Sequence, residues 1–372
     1  MVAAADLTPA DLAGWDDLVS RSADPNAYLT PQFMRPALRH LDPGLRTSFH
    51  LVEQRDDAGR WQLQGLVALQ PRAPDRHLPL GHAEAYLSRH SFLGGVLLDR
   101  ADPVAAASQM LDSWHRAGLP AVVLPLCPVD DTSSQALIEA VQARGRRCGR
   151  IDTFERATMA PPAQTHEAVC ERLPSQTKRY LSAARKADPA QRLSLRVLRG
   201  AAIDADAVER HLALEHAGWK GEQGTSMRSH PEEEAFFREL MSGCAALDRA
   251  VLVELLLGDK VIHSSSNLLD GAAGHAFKVG FDPAHAKLSP GILGEIGFLL
   301  AVREQLPCIE VFDSGSTADS FITALWPDRR RIATLVLSVS RRGDLAMLTQ
   351  GCLRSAKHQL AHLRRKGIDE PG

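Results

Sequence analysis

Two apolar runs, Val251 to Leu257 and Val261 to Ser265, stand either side of the compact turn Gly258-Asp259-Lys260. That pairing restricts the fold more than any other stretch of the chain. The turn residues reverse the backbone, and the two runs can then bury one face together as a β-hairpin. A lone hairpin is marginal in water, so further strands must join it. His275 to Phe281 reads as a third strand after the turn Asp270 to Gly274. From there Ile292, Leu293, Ile296, Leu299 and Leu300 recur at helical spacing, and Ile309 to Phe312 returns as a strand. Arg331 to Val339, together with Asp344 to Leu348, is expected to close the sheet.

A similar order runs upstream. Ser48 to Val52 and Trp61 to Leu69 flank the polar turn Gln54 to Gly59, and Phe92 to Leu98 reads as a strand. Helices are expected near Val104 to Ala117 and Ser134 to Arg144, with the strand Ala121 to Leu126 between them. After Phe154 to Met159 the pattern resumes. His166 to Ala187 reads as helix interrupted at Pro174, Ser194 to Leu198 as a strand, and Asp204 to Ala217 and Glu232 to Met241 as helices around the loop Gly218 to His230. A chain of 372 residues exceeds the usual size of one core. The expectation is two mixed α/β units, residues 1–155 and 156–350, followed by a basic helical tail over 351–372.

Charge narrows the function. Lys and Arg number 43 against 45 Asp and Glu, for a net charge of -2, which argues against the counterion-release attraction that nucleic-acid binders use. The 6 cysteines are scattered without a Cys-x-x-Cys pair, so neither a zinc knuckle nor a disulfide framework is expected. His211, His216, His230, His263, His275 and His285 form no His-x-x-x-His with a partnering acid, and no metal site is expected. Met1 to Asp17 carries acids and no signal-like apolar run, and no stretch of about 18 apolar residues exists to span a bilayer. The expected setting is the reducing cytoplasm.

The segment Leu288-Ser289-Pro290-Gly291-Ile292-Leu293 opens the apolar helix with proline at its first position and glycine next. Its uncovered N–H groups at a positive helix end suit a phosphate anion, and Gly291 lets it approach the backbone; alternatively Ser289 caps the helix and takes those donors. The order of hairpin, strand with Phe277-Lys278 and Phe281-Asp282, Ser-Pro-Gly loop, helix, and strand ending Phe312-Asp313-Ser314-Gly315 resembles the GNAT-related acetyltransferase domain of cellulose-biosynthesis-type (CelD-like) proteins. Gly218-Trp219-Lys220-Gly221, the basic helix with Lys178-Arg179-Tyr180, and Phe321 with Trp326 extend the likeness over about residues 155–335.

The resemblance implies a double, tandem GNAT fold related to FemAB-type transferases. It also implies an acyl-CoA co-substrate, acetyl-CoA or longer, with its pyrophosphate on Ser289, Gly291, Ile292 and Leu293, and no metal. The usual glycine-rich GNAT phosphate loop and the tyrosine after its helix are both missing, since the tyrosines are Tyr28, Tyr86 and Tyr180. Asp313, at a strand end before Ser314-Gly315-Ser316, is a candidate general base or amine-orienting carboxylate, or a turn cap. Lys278 alternates with Phe277 and either faces solvent or meets the acyl carbonyl or acceptor. His263 is a core histidine or a proton-transfer group, and Glu254 lies on a solvent face or is a base raised by burial. Trp219, Lys220 and Phe281 are candidate acceptor contacts.

Three functions fit. One is N-acyl transfer from acyl-CoA or acyl carrier protein to an amine such as an amino sugar or amino acid, in polysaccharide or cell-envelope biosynthesis. The second is a FemAB-like, aminoacyl-tRNA-dependent transfer. The third is a non-catalytic GNAT-fold protein of polysaccharide assembly. Oligomeric state is not legible.

Overall fold

The computed structural model describes residues 1–55 and 59–350; of Trp219, whose side chain lies outside the description, only the backbone is described. The strands are β1 (Val2–Ala3), β2 (Ser48–Arg55), β3 (Trp61–Arg72), β4 (His82–Ala85), β5 (Leu97–Leu98), β6 (Ala121–Pro128), β7 (Cys148–Met159), β8 (Leu193–Arg199), β9 (Ala250–Leu257), β10 (Lys260–Asp270), β11 (Ala273–Phe281), β12 (Val311–Asp313) and β13 (Asp328–Ser338). The helices are α1 (Pro9–Arg21), α2 (Pro31–Pro36), α3 (Pro103–Arg116), α4 (Thr132–Ala143), α5 (His166–Arg172), α6 (Pro174–Ala184), α7 (Ala205–Ala217), α8 (Trp219–Glu222), α9 (Pro231–Ala246) and α10 (Pro290–Gln305).

All the strands belong to one sheet in the order β1-β2-β3-β4-β6-β13-β7-β12-β11-β10-β9-β8, with β5 paired to β3. Two halves are visible in the pairing. In the first, β2, β3 and β4 form an antiparallel meander, and α3 lies in the connection leading to β6, parallel to β4. In the second, β9, β10 and β11 form another meander, and α10 crosses to β12, parallel to β11. The fold is thus a mixed, mostly antiparallel sheet flanked by helices, built from two GNAT-like halves.

The halves exchange their last strands. β7, which follows the first half, pairs with β12 of the second, while β13 comes from the chain's end to pair with β6 of the first. β7 and β13 then pair with each other, closing one continuous sheet. The apolar run Ala121 to Leu124 is fully buried, as a central strand covered on both faces should be.

Local chemistry explains most elements. Asp102 caps α3 and Asp204 caps α7 through their side chains, and Pro174 ends α5 and opens α6, because proline suits a first helical position but not an interior one. Two of the strand expectations need correction. Residues 341–350 are helical, so Asp344 to Leu348 does not extend the sheet. In place of a strand over Phe92 to Leu98 only β5 forms, and β4 had not been anticipated. The tail expected over 351–372 lies outside the described residues.

Candidate active site

α10 presents its N-terminus beside β10 and β11. The hydroxyl of Ser289 makes no capping hydrogen bond, and Ser289 itself adopts φ 52. Among the described residues, the first α10 amide to find a partner is that of Leu293, on the Ser289 carbonyl at 3.1 Å. Of the four expected phosphate ligands, Gly291 and Ile292 therefore offer open amides. Leu293 instead spends its amide within the helix and buries its side chain. A side chain at Gly291 would meet nothing within 4 Å, so the approach is clear. Arg179 closes one flank by donating to the Lys287 carbonyl at 3.1 Å.

A cavity of about 230 Å³ opens beside this helix end, lined by residues that include His263, Lys278, Gly291, Glu295, Phe92, Trp326 and the loop Ser314 to Ser316. Lys278, His263 and Gly291, singled out from the sequence, thus converge on one space. Glu295 joins them and had not been anticipated. It is the lone charged residue between Pro290 and Val302, on a helix apolar nearly all round, and an acid in such a run is a readable signal.

Lys278 owes its position to a β-bulge. The register of β10 against β11 shifts between Ser266 and Asn267, so that Phe277 is an extra residue on β11. The Lys278 amide donates to Ser266 Oγ at 3.1 Å across this irregularity. Strict alternation would send Phe277 and Lys278 to opposite faces; the bulge breaks it, and Lys278 Nζ lies 5.2 Å from the Phe277 ring centroid and 5.3 Å from that of Phe92. Nζ also lies 3.0 Å from His90 Nδ1. Desolvation, opposed in part by Glu215 and Glu233, brings the Lys278 ammonium down to about 8. The same loss of water holds His90 near 3, so its ring is neutral and Nδ1 can accept from the ammonium.

Glu295 accepts a 2.6 Å hydrogen bond from Trp326 Nε1, and burial nevertheless raises its carboxyl to about 7. His263 is 2% exposed, and its ring lies so close to α10 that a Cβ at Gly294 would sit 2.2 Å from Cδ2. Burial lowers it to about 4. It is therefore a neutral group in the cavity wall near pH 7 and a weak proton acceptor.

Asp313 is not exposed at a strand mouth as expected. It is 2% exposed, 3.5 Å from Arg156 and 3.3 Å from Arg330, and it accepts from the Gly315 amide at 2.8 Å. Two guanidinium partners satisfy it as a buried ion pair rather than free it as a base. Its partner Arg156 donates to the carbonyls of Ser316 and Phe92, both in the cavity wall, so this pair braces the site. Glu254 is likewise buried and bound by Arg196 and Arg210. Lys220 is tied to Glu215 at 3.2 Å and to the Val279 carbonyl at 2.9 Å; neither it nor Phe281, opposite His263 in the β10 register, lines the cavity.

Comparison with known proteins bears on the fold. Residues 174–319 match the family described as "Acetyltransferase (GNAT) domain". The match makes this stretch similar to a GNAT domain and spans under half of the chain. FemX superposes with a TM-score of 0.57 at 11% identity, over 88% of this chain and 94% of FemX. The C-terminal domain of a protein described as a lysylphosphatidylglycerol synthetase, from Agrobacterium fabrum, gives 0.53 at 12% identity over 91% and 95%. A protein of unknown function from Bacteroides thetaiotaomicron gives 0.56 at 11% identity over 90% and 98%. At these identities the likeness shows the fold. No curated protein matches in sequence. Among the described residues no helix is long and apolar enough to cross a membrane.

Proposed function

We propose that the chain is an N-acyltransferase that moves an acyl group from an acyl-CoA thioester to a primary amine in the cavity beside α10. The observation that carries this is the junction of two features: open amides at a helix start, and a cavity whose acid and base are both pulled toward neutrality. The Gly291 and Ile292 amides, with the helix dipole behind them, suit the diphosphate of the thioester donor. Residues 156–350 contain both features, and residues 1–155 contribute Phe92 to the wall and His90 behind Lys278.

The chemistry follows from protonation. Glu295, ionised above about 7, accepts the proton that the acceptor nitrogen loses as it bonds to the thioester carbonyl carbon. The oxyanion then collapses, the carbon–sulfur bond breaks, and Lys278, protonated below about 8, gives a proton to the departing thiolate. Asp313 acts on neither step. With Arg156 it holds Phe92 and Ser316 in place. Trp219 remains a proposed acceptor contact, Phe281 lies outside the cavity, and Lys220 acts on Lys278 through its charge. A role in the cytoplasmic assembly of polysaccharide or cell envelope, with an amino sugar or amino acid as acceptor, belongs to the same proposal.

The test is calorimetric titration with acetyl-CoA, longer acyl-CoAs and free CoA, followed by thiol-release assays over a panel of amines. Binding and release by at least one pair is expected. Failure of every thioester to bind, with tight aminoacyl-tRNA binding, would move the assignment to tRNA-dependent transfer. Binding without release across the panel would leave a non-catalytic protein.

A further inference from the structure

Away from this cavity, the connection between β3 and β4 gathers a second set of chemistry-bearing side chains. Asp75, His82 and Glu84 each offer one ligand atom, and these atoms lie within 4.8 Å of one another. His82 and Glu84 stand two apart on β4 and so share a face. Asp75 reaches them from the loop. None of the three lines the cavity beside α10.

Each group has one atom already engaged and one left over. Asp75 Oδ1 accepts from the amides of His77 at 2.7 Å and Leu78 at 3.1 Å, which leaves Oδ2. Glu84 Oε1 is held by Arg72 at 2.8 Å, which leaves Oε2. His82 Nδ1 lies 2.9 Å from the Leu80 carbonyl, an acceptor only, so the proton sits on Nδ1 and Nε2 carries the lone pair. The His82 side chain is fully buried and Nε2 has no hydrogen-bond partner. It points at Asp75 Oδ2 from 3.9 Å. His77 Nδ1, also without a partner, faces Asp75 Oδ2 at 3.7 Å and Glu84 Oε2 at 3.9 Å.

Those separations are too long for hydrogen bonds. A buried imidazole nitrogen aimed at a carboxylate across such a gap is costly unless something lies between them. A tetrahedral ion with ligands about 2.0–2.1 Å away sets ligand atoms roughly 3.4 Å apart. The His82–Asp75 pair, 3.9 Å apart, would close by about half an ångström, and the other pairs, within 4.8 Å, by rotation of the Asp75 and Glu84 carboxylates. A histidine whose far nitrogen is bound to a backbone carbonyl is the usual outer arrangement of a metal-ligating imidazole. We infer that Asp75 Oδ2, Glu84 Oε2 and His82 Nε2 form a binding site for a first-row divalent cation of the Zn²⁺ type. Mixed imidazole and carboxylate ligands suit that class rather than Ca²⁺ or Mg²⁺. Two carboxylates, one of them held by Arg72, leave a net negative pocket for it. The ion would pin the β3–β4 connection over Leu78, which is itself fully buried.

The full-length chain, stripped with EDTA and returned to metal-free buffer, is titrated with ZnCl₂ by calorimetry, and its thermal unfolding is followed with and without Zn²⁺. One saturable equivalent is expected, with an unfolding midpoint that rises with Zn²⁺ concentration. His82→Gln weakens that binding roughly 10- to 100-fold and abolishes the midpoint shift, on the scale typical of disturbing a metal shell. Asp75→Asn keeps an acceptor for the two turn amides while removing the charged ligand, and decides the matter if His82→Gln does not fold. His115→Gln, on the exposed face of α3, retains full binding. Absence of a stoichiometric Zn²⁺ site in the full chain, wild-type affinity in Asp75→Asn, or an equal loss in His115→Gln would overturn the inference.

Discussion

Replacing Glu295 by Gln separates catalysis from stability, with opposite signs. The side-chain volume is nearly unchanged, and the amide oxygen still accepts the Trp326 Nε1 bond at 2.6 Å. What disappears is the charge. The carboxyl titrates at about 7 in the folded protein against 4.5 for an unperturbed glutamate, a difference of about 2.5 units. At 1.36 kcal/mol per unit this is about 3 kcal/mol, reduced to about 1–3 because the group borders a solvent-reaching cavity. The folded state holds the proton more tightly than the unfolded state. Its contribution is therefore fully present below about 4.5 and is lost as pH rises through about 7. Glutamine never ionises and escapes that loss. In urea titrations the variant should match wild type at pH 4.5 and exceed it by about 1–3 kcal/mol at pH 8.5, while thiol release falls by about 10²-fold or more. Equal stabilisation at both pH values would show that the carboxyl is not desolvated. Unchanged turnover would remove Glu295 from the mechanism.

Lys278→Met keeps the aliphatic stem over Phe92 and Phe277 while deleting the ammonium; turnover should drop at least about tenfold, and the alkaline limb of the rate profile near pH 8 should vanish while the acid limb near 7 stays. Gly291→Val adds a branch where the nearest atoms lie beyond 4 Å, so calorimetry should show thioester affinity weakened at least about tenfold with the urea midpoint almost unchanged. Asp313→Asn leaves Arg156, itself 3% exposed, without its carboxylate partner; a loss of about 3 kcal/mol in chemical denaturation is expected, and turnover lost without any change in stability would refute the bracing role.

The hairpin of β9 and β10, the strand β11 and the helix α10 were legible because each carries its own signal: a turn between apolar runs, then a proline-led stretch of helical period. The site was half legible for a related reason. Gly291 and Lys278 announce themselves by local pattern, whereas the facing of Lys278 depends on a bulge set by cross-strand register, which no single strand encodes. Asp313 misled because a carboxylate at a strand end reads as exposed. Its burial depends on Arg156 and Arg330, distant in sequence, arriving from β7 and β13. β4 was missed because four residues, His82–Ala85, are too short to show a period. Its metal-ligand pattern escaped too, since His82 and Glu84 are spaced for a strand rather than for a helix.

The strand exchange explains why one half cannot be assigned the chemistry alone. Lys278 comes from the second half, but the nitrogen that meets its ammonium belongs to His90 and one of its two aromatic faces to Phe92, both from the first. Phe277 likewise packs against Tyr28 and Phe33 of the first half and against Phe236 and Phe237 of α9. The loop after β12 is fixed through Arg156 on β7, which connects the two halves. The desolvation that brings Lys278 toward neutrality is therefore made by both halves closing on one cavity. A fold that shares its sheet across the join holds that closure rigidly, where two domains on a flexible linker would let water back to the ammonium and return it toward 10.5.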